Sequence, residues 1–284
     1  MNIRFLGAAM TVTGSCHLIE TDKYKILLDC GQFQGSRAVE ELNYKLFDFD
    51  PAEIDFVILT HAHIDHCGRL PLLIKNGFSG RIYCTAATAD LADIMLQDAG
   101  RIHESDAYIS NKRSRRAGRR EIEPLYTEQE AAKTARHFYP VQYDRTVKIN
   151  NDVSLRMTDA GHILGAAFVE LWVDEGGKQS KIVFSGDIGV RNKPLLRDPQ
   201  LIEQADYVIM ETTYGDRLHE SFNDSMKSYI EIVLKTLRRD GTVVFPSFAL
   251  GRTQELIYAF NRFYEDRTEY RDELRDVKVY VDSP

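Results

Sequence analysis

Short runs of β-branched and aliphatic residues fill the first part of the chain, at Ile3–Leu6, Lys25–Leu28, Asp55–Leu59 and Arg81–Cys84, with glycines 7, 14, 31, 77 and 80 between them. Apolar runs of this length bounded by glycine predict buried strands. From Ala87 the apolar spacing changes to three and four, and Leu91, Ile94, Met95 and Ala99 form a stripe running toward Ile102, which predicts an amphipathic helix. Thr127–Phe138 predicts a second helix opened by a Thr-x-x-Glu cap. Strands resume at Val147–Ile149, Val153–Thr158, Ala167–Val173 and Lys181–Ser185, the last two joined as a hairpin through Glu175-Gly176-Gly177-Lys178.

After Tyr207–Met210 helical and strand patterns alternate: helix Asp224–Arg239, strand Thr242–Phe245, helix Arg252–Tyr264, strand Val277–Val281. This β-α-β-α-β order predicts parallel strands joined by crossover helices. A boundary falls near residue 211, giving domains 1–210 and 211–284 with no linker-like tract or repeat. The last strand is followed at once by Asp282-Ser283-Pro284, so the second domain is expected to be incomplete.

Composition changes this picture in three ways. With 284 residues, 43% of them hydrophobic, the chain is long enough for one large or two modest folded domains. A net charge of −7 means that affinity for a polyanion must come from a local basic patch or from bound cations. Cys16, Cys30, Cys67 and Cys84 form no C-x-x-C pair, which argues against a thiolate zinc site or a disulfide framework and favours a reducing, cytoplasmic setting. Arg4 followed by Phe5–Met10 has the look of a signal peptide, but threonines and a glycine interrupt it, and export is not expected. No run approaches the roughly 18 apolar residues of a membrane span, so no membrane is expected as a partner.

Candidate chemistry concentrates in Thr60-His61-Ala62-His63-Ile64-Asp65-His66, directly after the apolar run 55–59. Imidazoles and a carboxylate at a strand's end are the donors that a hydrolytic metal ion requires, on a rigid mount. The alternative is a solvated polar loop, which the crowding of three of the eight histidines into this segment disfavours. Two further groups match: His162 between glycines in Asp159-Ala160-Gly161-His162, and Asp187 in Ser185-Gly186-Asp187-Ile188-Gly189, each after a predicted strand. Read singly, each is a turn residue; read with 61–66, they complete a metal site.

These motifs resemble those of the metallo-β-lactamase superfamily, and in particular its β-CASP branch of nucleic-acid-processing hydrolases. Asp29 in Leu27-Leu28-Asp29-Cys30-Gly31 is similar to the family's first motif, 61–66 to the second, His162 to the third and Asp187 to the fourth. Glu211 in Met210-Glu211-Thr212-Thr213-Tyr214-Gly215 resembles the acidic residue that opens the β-CASP insertion, and Phe245–Glu255 and Val279–Pro284 resemble stretches inside it. The resemblance implies an α/β fold, an αββα sandwich followed by the start of a parallel-sheet β-CASP domain. It also implies two Zn2+ ions, with Mn2+ as the alternative. His61, His63 and His162 would hold one ion, Asp65 and His66 the other, and Asp187 would bridge them. Asp29 would orient ligands, and Asp65, Asp187 and Glu211 are the acidic residues assigned to catalysis.

The implied reaction is hydrolysis of RNA phosphodiester bonds by a metal-activated hydroxide, endonucleolytic, 5′-to-3′ exonucleolytic, or both. The family's later histidine motifs have no counterpart before Pro284, and His137 and His219 read as exposed residues outside any matching context. The chain is therefore expected to bind metal but to cleave poorly. The basic run 112–120 offers Arg113, Arg115, Arg116, Arg119 and Arg120 as phosphate contacts, with a solvated interhelical loop as the equal alternative; Arg252 is a further candidate, against ordinary helix capping. Tyr126, Phe138, Tyr139 and Tyr143 are assigned no function. A homodimer is left open. Two competing functions are a small-molecule hydrolase of the lactamase or thioesterase type, which would lack the pattern at 224–281, and a catalytically weak RNA-binding or scaffold subunit.

Overall fold

A computed structural model describes every residue except 117, 119, 219–221, 267, 283 and 284. The chain divides into two compact units, Met1–Arg191 with Asp198–Glu211, and Asn192–Arg197 with Thr212–Pro284.

The first unit holds two sheets. The six-stranded sheet runs in sequence order through β1 (Asn2–Gly7), β2 (Cys16–Glu20), β3 (Lys25–Leu28), β4 (Phe56–Ile58), β5 (Arg81–Thr85) and β6 (Phe138–Val141). Its first two pairings are antiparallel and the remaining three parallel. The five-stranded sheet contains β7 (Val147–Lys148), β8 (Val153–Asp159), β9 (Ala167–Glu175), β10 (Lys178–Phe184) and β11 (Tyr207–Ile209). Strand alternation puts Ile19, Ile26, Leu28, Phe56, Ile58 and Tyr83 on one side of a shared core, and Leu155, Met157, Val169, Leu171, Ile182 and Phe184 on the other. Removing these side chains from water is the main force holding the two sheets together.

The β9–β10 hairpin turns at Gly176 and Gly177 with φ of 63° and 80°, the positive values that glycine adopts without strain. Short helices α1 (Arg37–Glu40), α2 (Ile64–Cys67) and α3 (Leu70–Lys75) precede α4, which spans Ala86–Arg116. Only the first part of the second predicted helix is α-helical: α5 covers Glu128–Ala132, opened by a capping box in which Thr127 and Glu130 each bond the other's backbone N–H. The chain then tightens into a 3₁₀ turn and leaves as β6, because Pro140 cannot donate a helical hydrogen bond.

Two other expectations change. In α4 the buried stripe is Ala92, Leu96, Ala99 and Ala107, while Ile94 and Ile102 point outward. The small residues lie inward because α5 crosses close by: a Cβ on Gly100 would sit 2.7 Å from the Glu128 nitrogen. The first residues of the basic run, 112–116, belong to the last turns of α4 and not to an interhelical loop, since cations there complement the negative end of the helix dipole.

The second unit contains α6 (Phe222–Leu237), α7 (Arg252–Asp266) and α8 (Thr268–Leu274), packed around Ile230, Val233, Leu234 and Leu274. The strands expected at 242–245 and 277–281 are unpaired irregular chain, so the described residues of this unit form no parallel sheet. Both segments have the apolar character of strands, yet a strand persists only when a neighbour takes up its backbone groups. No helix among the described residues is long and apolar enough to cross a membrane.

Candidate metal centre

Strands β3, β4, β8 and β10 all deliver the loops that form the site. The loop after β3 begins with Asp29, which is fully buried and adopts a left-handed backbone with φ 56°. Its Oδ1 accepts from the Thr60 backbone N–H at 2.8 Å, and its Oδ2 accepts from Ser15 Oγ at 3.1 Å. Thr60 Oγ1 lies 3.0 Å from both carboxylate oxygens and 3.0 Å from His61 Nδ1. A carboxylate only accepts, so Thr60 gives its single proton to Asp29 and takes one from His61 Nδ1. That leaves the Nε2 lone pair of His61 directed away from Asp29. His66 Nδ1 lies 2.7 Å from Asp29 Oδ2, and by the same logic His66 also presents Nε2.

The presented atoms converge. His61 Nε2 and His162 Nε2 each lie 3.1 Å from His63 Nδ1. Ligand atoms of His61, His63, His162 and Asp187 all fall within 4.8 Å of one another. Asp187 faces two ways: Oδ2 is 3.3 Å from His162 Nε2 and 3.8 Å from His61 Nε2, whereas Oδ1 is 3.1 Å from His66 Nε2. Asp65 Oδ2 lies 3.9 Å from His66 Nε2 on that second side.

Burial and the neighbouring imidazoles of His66, His162 and His63 push His61 well below its ordinary pKa, so its lone pair is free. Burial favours the neutral form of Asp187, but the hydrogen bond from His66 and the nearby imidazoles outweigh it and hold this carboxyl at about 2. Asp65 moves the other way, raised by burial and by the charge on Asp187. His66 is also buried, yet the carboxylates of Asp29 and Asp187 hold it well above the ordinary imidazole range, so a cation at its Nε2 would take the place of the proton that Nε2 shares with Asp187. Crowded nitrogen lone pairs beside a carboxylate fit a borderline cation such as zinc, which takes both donor types.

Close backbone approach makes the convergence feasible. A Cβ on Gly31 would lie 1.6 Å from the carbonyl oxygen of Asp65, and one on Gly189 would lie 1.9 Å from that of Gly161. Gly189 N–H bonds the Ala160 carbonyl at 2.8 Å, tying the Asp187 loop to the His162 loop.

Residues 10–247 match the sequence profile of the metallo-beta-lactamase superfamily, which covers the site and most of the chain. The chain belongs to that superfamily. Among curated proteins, it is 37% identical over its full length to "Ribonuclease TTHA0252" of Thermus thermophilus, covering 58% of that protein. It is 33% identical to "Transcription termination factor FttA" of Methanothermobacter thermautotrophicus, with 98% of this chain aligned to 41% of that protein. It is 32% identical to "Probable RNase MJ4" of Methanocaldococcus jannaschii, with 96% of this chain aligned to 59% of that protein. The chain thus spans about half the length of these curated relatives.

Other predicted residues fall outside the cluster. Glu211 does not join the converging donors: its Oε1 accepts from the Ile188 N–H at 2.6 Å, and its own N–H donates to Ser185 Oγ at 3.1 Å, so it clamps the loop that carries Asp187. A glutamate beside a strand-end loop is drawn to that loop's open N–H groups. Arg113, Arg115 and Arg116 end α4, with Arg115 Nε 2.8 Å from Glu121 Oε1, and Arg120 is exposed just beyond. Arg119 lies outside the described residues. Arg252 begins α7 and bonds Glu255 at 3.0 Å within the second unit. His137 is half-buried instead of exposed, its Nδ1 2.9 Å from the Gly80 carbonyl oxygen, because its ring packs on Phe78; His219 lies outside the described residues. Sequence reasoning missed Ser15 and Thr60. The adjacency of Gly14-Ser15 and of Thr60-His61 at strand ends was the available signal.

Proposed function

We propose that this protein is a metal-dependent ribonuclease of the β-CASP type, hydrolysing RNA phosphodiester bonds with two zinc ions, or manganese in their place. The observation that carries the reading is Asp187, whose two oxygens face two separate donor sets: His61, His63 and His162 on one side, His66 and Asp65 on the other. When bound, the ions supply an activated water and neutralise charge on the phosphodiester. Asp29 and Thr60 hold His61 and His66 in the tautomers that present Nε2. Asp187 and Asp65 contribute the negative charge that favours cations there, and Asp65, whose carboxyl is raised, can receive a proton at its oxygen. Glu211 positions the Asp187 loop.

RNA is favoured as substrate by relatives named as ribonucleases. Arg113, Arg115, Arg116, Arg119, Arg120 and Arg252 are the proposed phosphate contacts, through bidentate guanidinium pairing. The four cysteines are free and buried, in keeping with work in the cytoplasm.

The test uses 5′-labelled RNA with the zinc- or manganese-loaded chain, beside a chromogenic lactam and a thioester. Cleavage of RNA alone, lost in Asp187→Asn, supports the proposal, and internal fragments against released mononucleotides distinguish endo- from exonuclease action. Lactam or thioester turnover without RNA cleavage, or RNA cleavage unchanged in Asp187→Asn, overturns it.

A further inference from the structure

The 31-residue helix α4 carries two apolar stripes, and among the described residues only one is buried. Opposite the buried Ala92-Leu96-Ala99 face, Ile94, Ile102, Tyr108 and Ile109 are 57%, 52%, 65% and 46% exposed. With each residue advancing about 100° around a helix, positions 94, 98, 101/102, 105, 108/109, 112 and 116 share one outward stripe. Four large apolar side chains do not settle in water along one helix face without a reason.

The charges along the helix identify the occupant. The first turns bear Asp90, Asp93 and Asp98, the last turns bear Lys112, Arg113, Arg115 and Arg116, and the middle carries Arg101, Glu104 and Asp106. A parallel copy of α4 would place like charges together, but an antiparallel copy sets each acidic end against a basic one. The stripe is self-complementary about Ser105: a two-fold axis there pairs Ile102 with Tyr108 or Ile109 of the other copy, Asp98 with Lys112, and Ile94 with the aliphatic stem of Arg116. Ser105 is exposed and small, which lets the two helices approach at the crossing point. Lys112 has no ion-pair partner among the described residues, whereas Asp98 bonds Arg101 at 3.1 Å and would share its charge between the two cations.

We infer that α4 is an isologous dimer interface, on which a second copy of this chain packs antiparallel through Ile94, Ile102, Tyr108 and Ile109, with Ser105 at the two-fold axis. Such an interface repeats every contact twice, so one well-placed substitution acts twice. It does not depend on the metal centre proposed above; of the proposed phosphate contacts, it covers the stem of Arg116.

The test combines sedimentation velocity with site-specific cross-linking. The unmodified chain at tens of micromolar is expected to sediment at twice its chain mass, and Ile102→Glu to sediment as a monomer with its circular dichroism spectrum and thermal midpoint retained. Because the four native cysteines are buried, Ser105→Cys adds one exposed thiol, and the two-electron oxidant diamide is expected to join two copies through it as a disulfide. Lys178→Cys, exposed at the β9–β10 hairpin of the other sheet, is expected not to cross-link. A monomeric unmodified chain, a dimer that survives Ile102→Glu, no disulfide through Ser105→Cys, or equal cross-linking through Lys178→Cys each overturns the inference. If Ile102→Glu fails to fold, the cross-linking pair alone decides.

Discussion

Asp29 and His66 meet across 2.7 Å in the interior, where the carboxylate that takes the Nδ1 proton of His66 also governs His61 through the hydroxyl of Thr60. One side chain outside the donor cluster thereby orients the imidazoles of two that line it. Asp29→Asn replaces one acceptor oxygen with a donor and frees at least one imidazole to turn. Metal affinity is expected to fall about 10–100-fold, measured by competition with a chromogenic chelator. Unchanged affinity would separate Asp29 from the site.

Metal removal should be felt by the whole first unit, because the donors come from loops after three different strands, β4, β8 and β10. A cation at a hundredfold excess over its dissociation constant adds about 2.7 kcal/mol to folded-state stability. For a unit of this size that is roughly 5–10 °C in Tm. Differential scanning calorimetry with and without a chelator should show this difference in the unmodified chain, and it should vanish in a His61→Ala, His162→Ala double variant. An equal chelator effect in both would place the cation elsewhere.

Gly31 offers a test that leaves every donor in place. A methyl group there would sit 1.6 Å from the Asp65 carbonyl oxygen, so the loops after β3 and β4 must separate. Gly31→Ala is expected to cost roughly 1–3 kcal/mol of stability and to weaken metal binding as well. Urea denaturation and a chelator titration measure the two effects. Full stability would mean that the loops have room to shift.

Glu170, fully buried on β9, provides a pH dependence away from the site. Burial would raise its carboxyl, but Arg156, at 2.7 and 2.9 Å, and Lys181, at 2.5 Å, hold it below the ordinary value. A depressed folded-state pKa contributes stability above the unfolded value of about 4.3, lost as pH falls through the folded value. Glu170→Gln should therefore lower Tm most at neutral pH, and the gap from the unmodified chain should narrow as pH falls below the unfolded value of about 4.3. A gap that stayed constant with pH would assign Glu170 a purely packing role.

Much of this was legible in one dimension. The crowding of His61, His63, Asp65 and His66 after a β-branched run marks a metal site, since few other settings tolerate so many imidazoles together. The hairpin at Gly176-Gly177 and the cap at Thr127 were equally readable, because turn and cap chemistry is local. The outward faces of Ile94 and Ile102 were not. Leu91, Ile94, Met95 and Ala99 satisfy a helical stripe, but which stripe turns inward depends on α5 lying against Gly100, and periodicity does not encode a neighbour.

Sequence alone determined which imidazoles and carboxylates stand at the strand ends, because residue type and local spacing decide what a loop can offer a cation. Tertiary structure alone decided that Asp187 faces both groups of histidines, that Asp29 reaches His66 and, through Thr60, His61, and that Glu211 braces a loop. Those relationships depend on distances between loops far apart along the chain, fixed only when the two sheets pack and bring their strand ends to one edge. The same reason left the segments at 242–245 and 277–281 unpaired: apolar pattern offers a strand, and only a neighbouring backbone completes it.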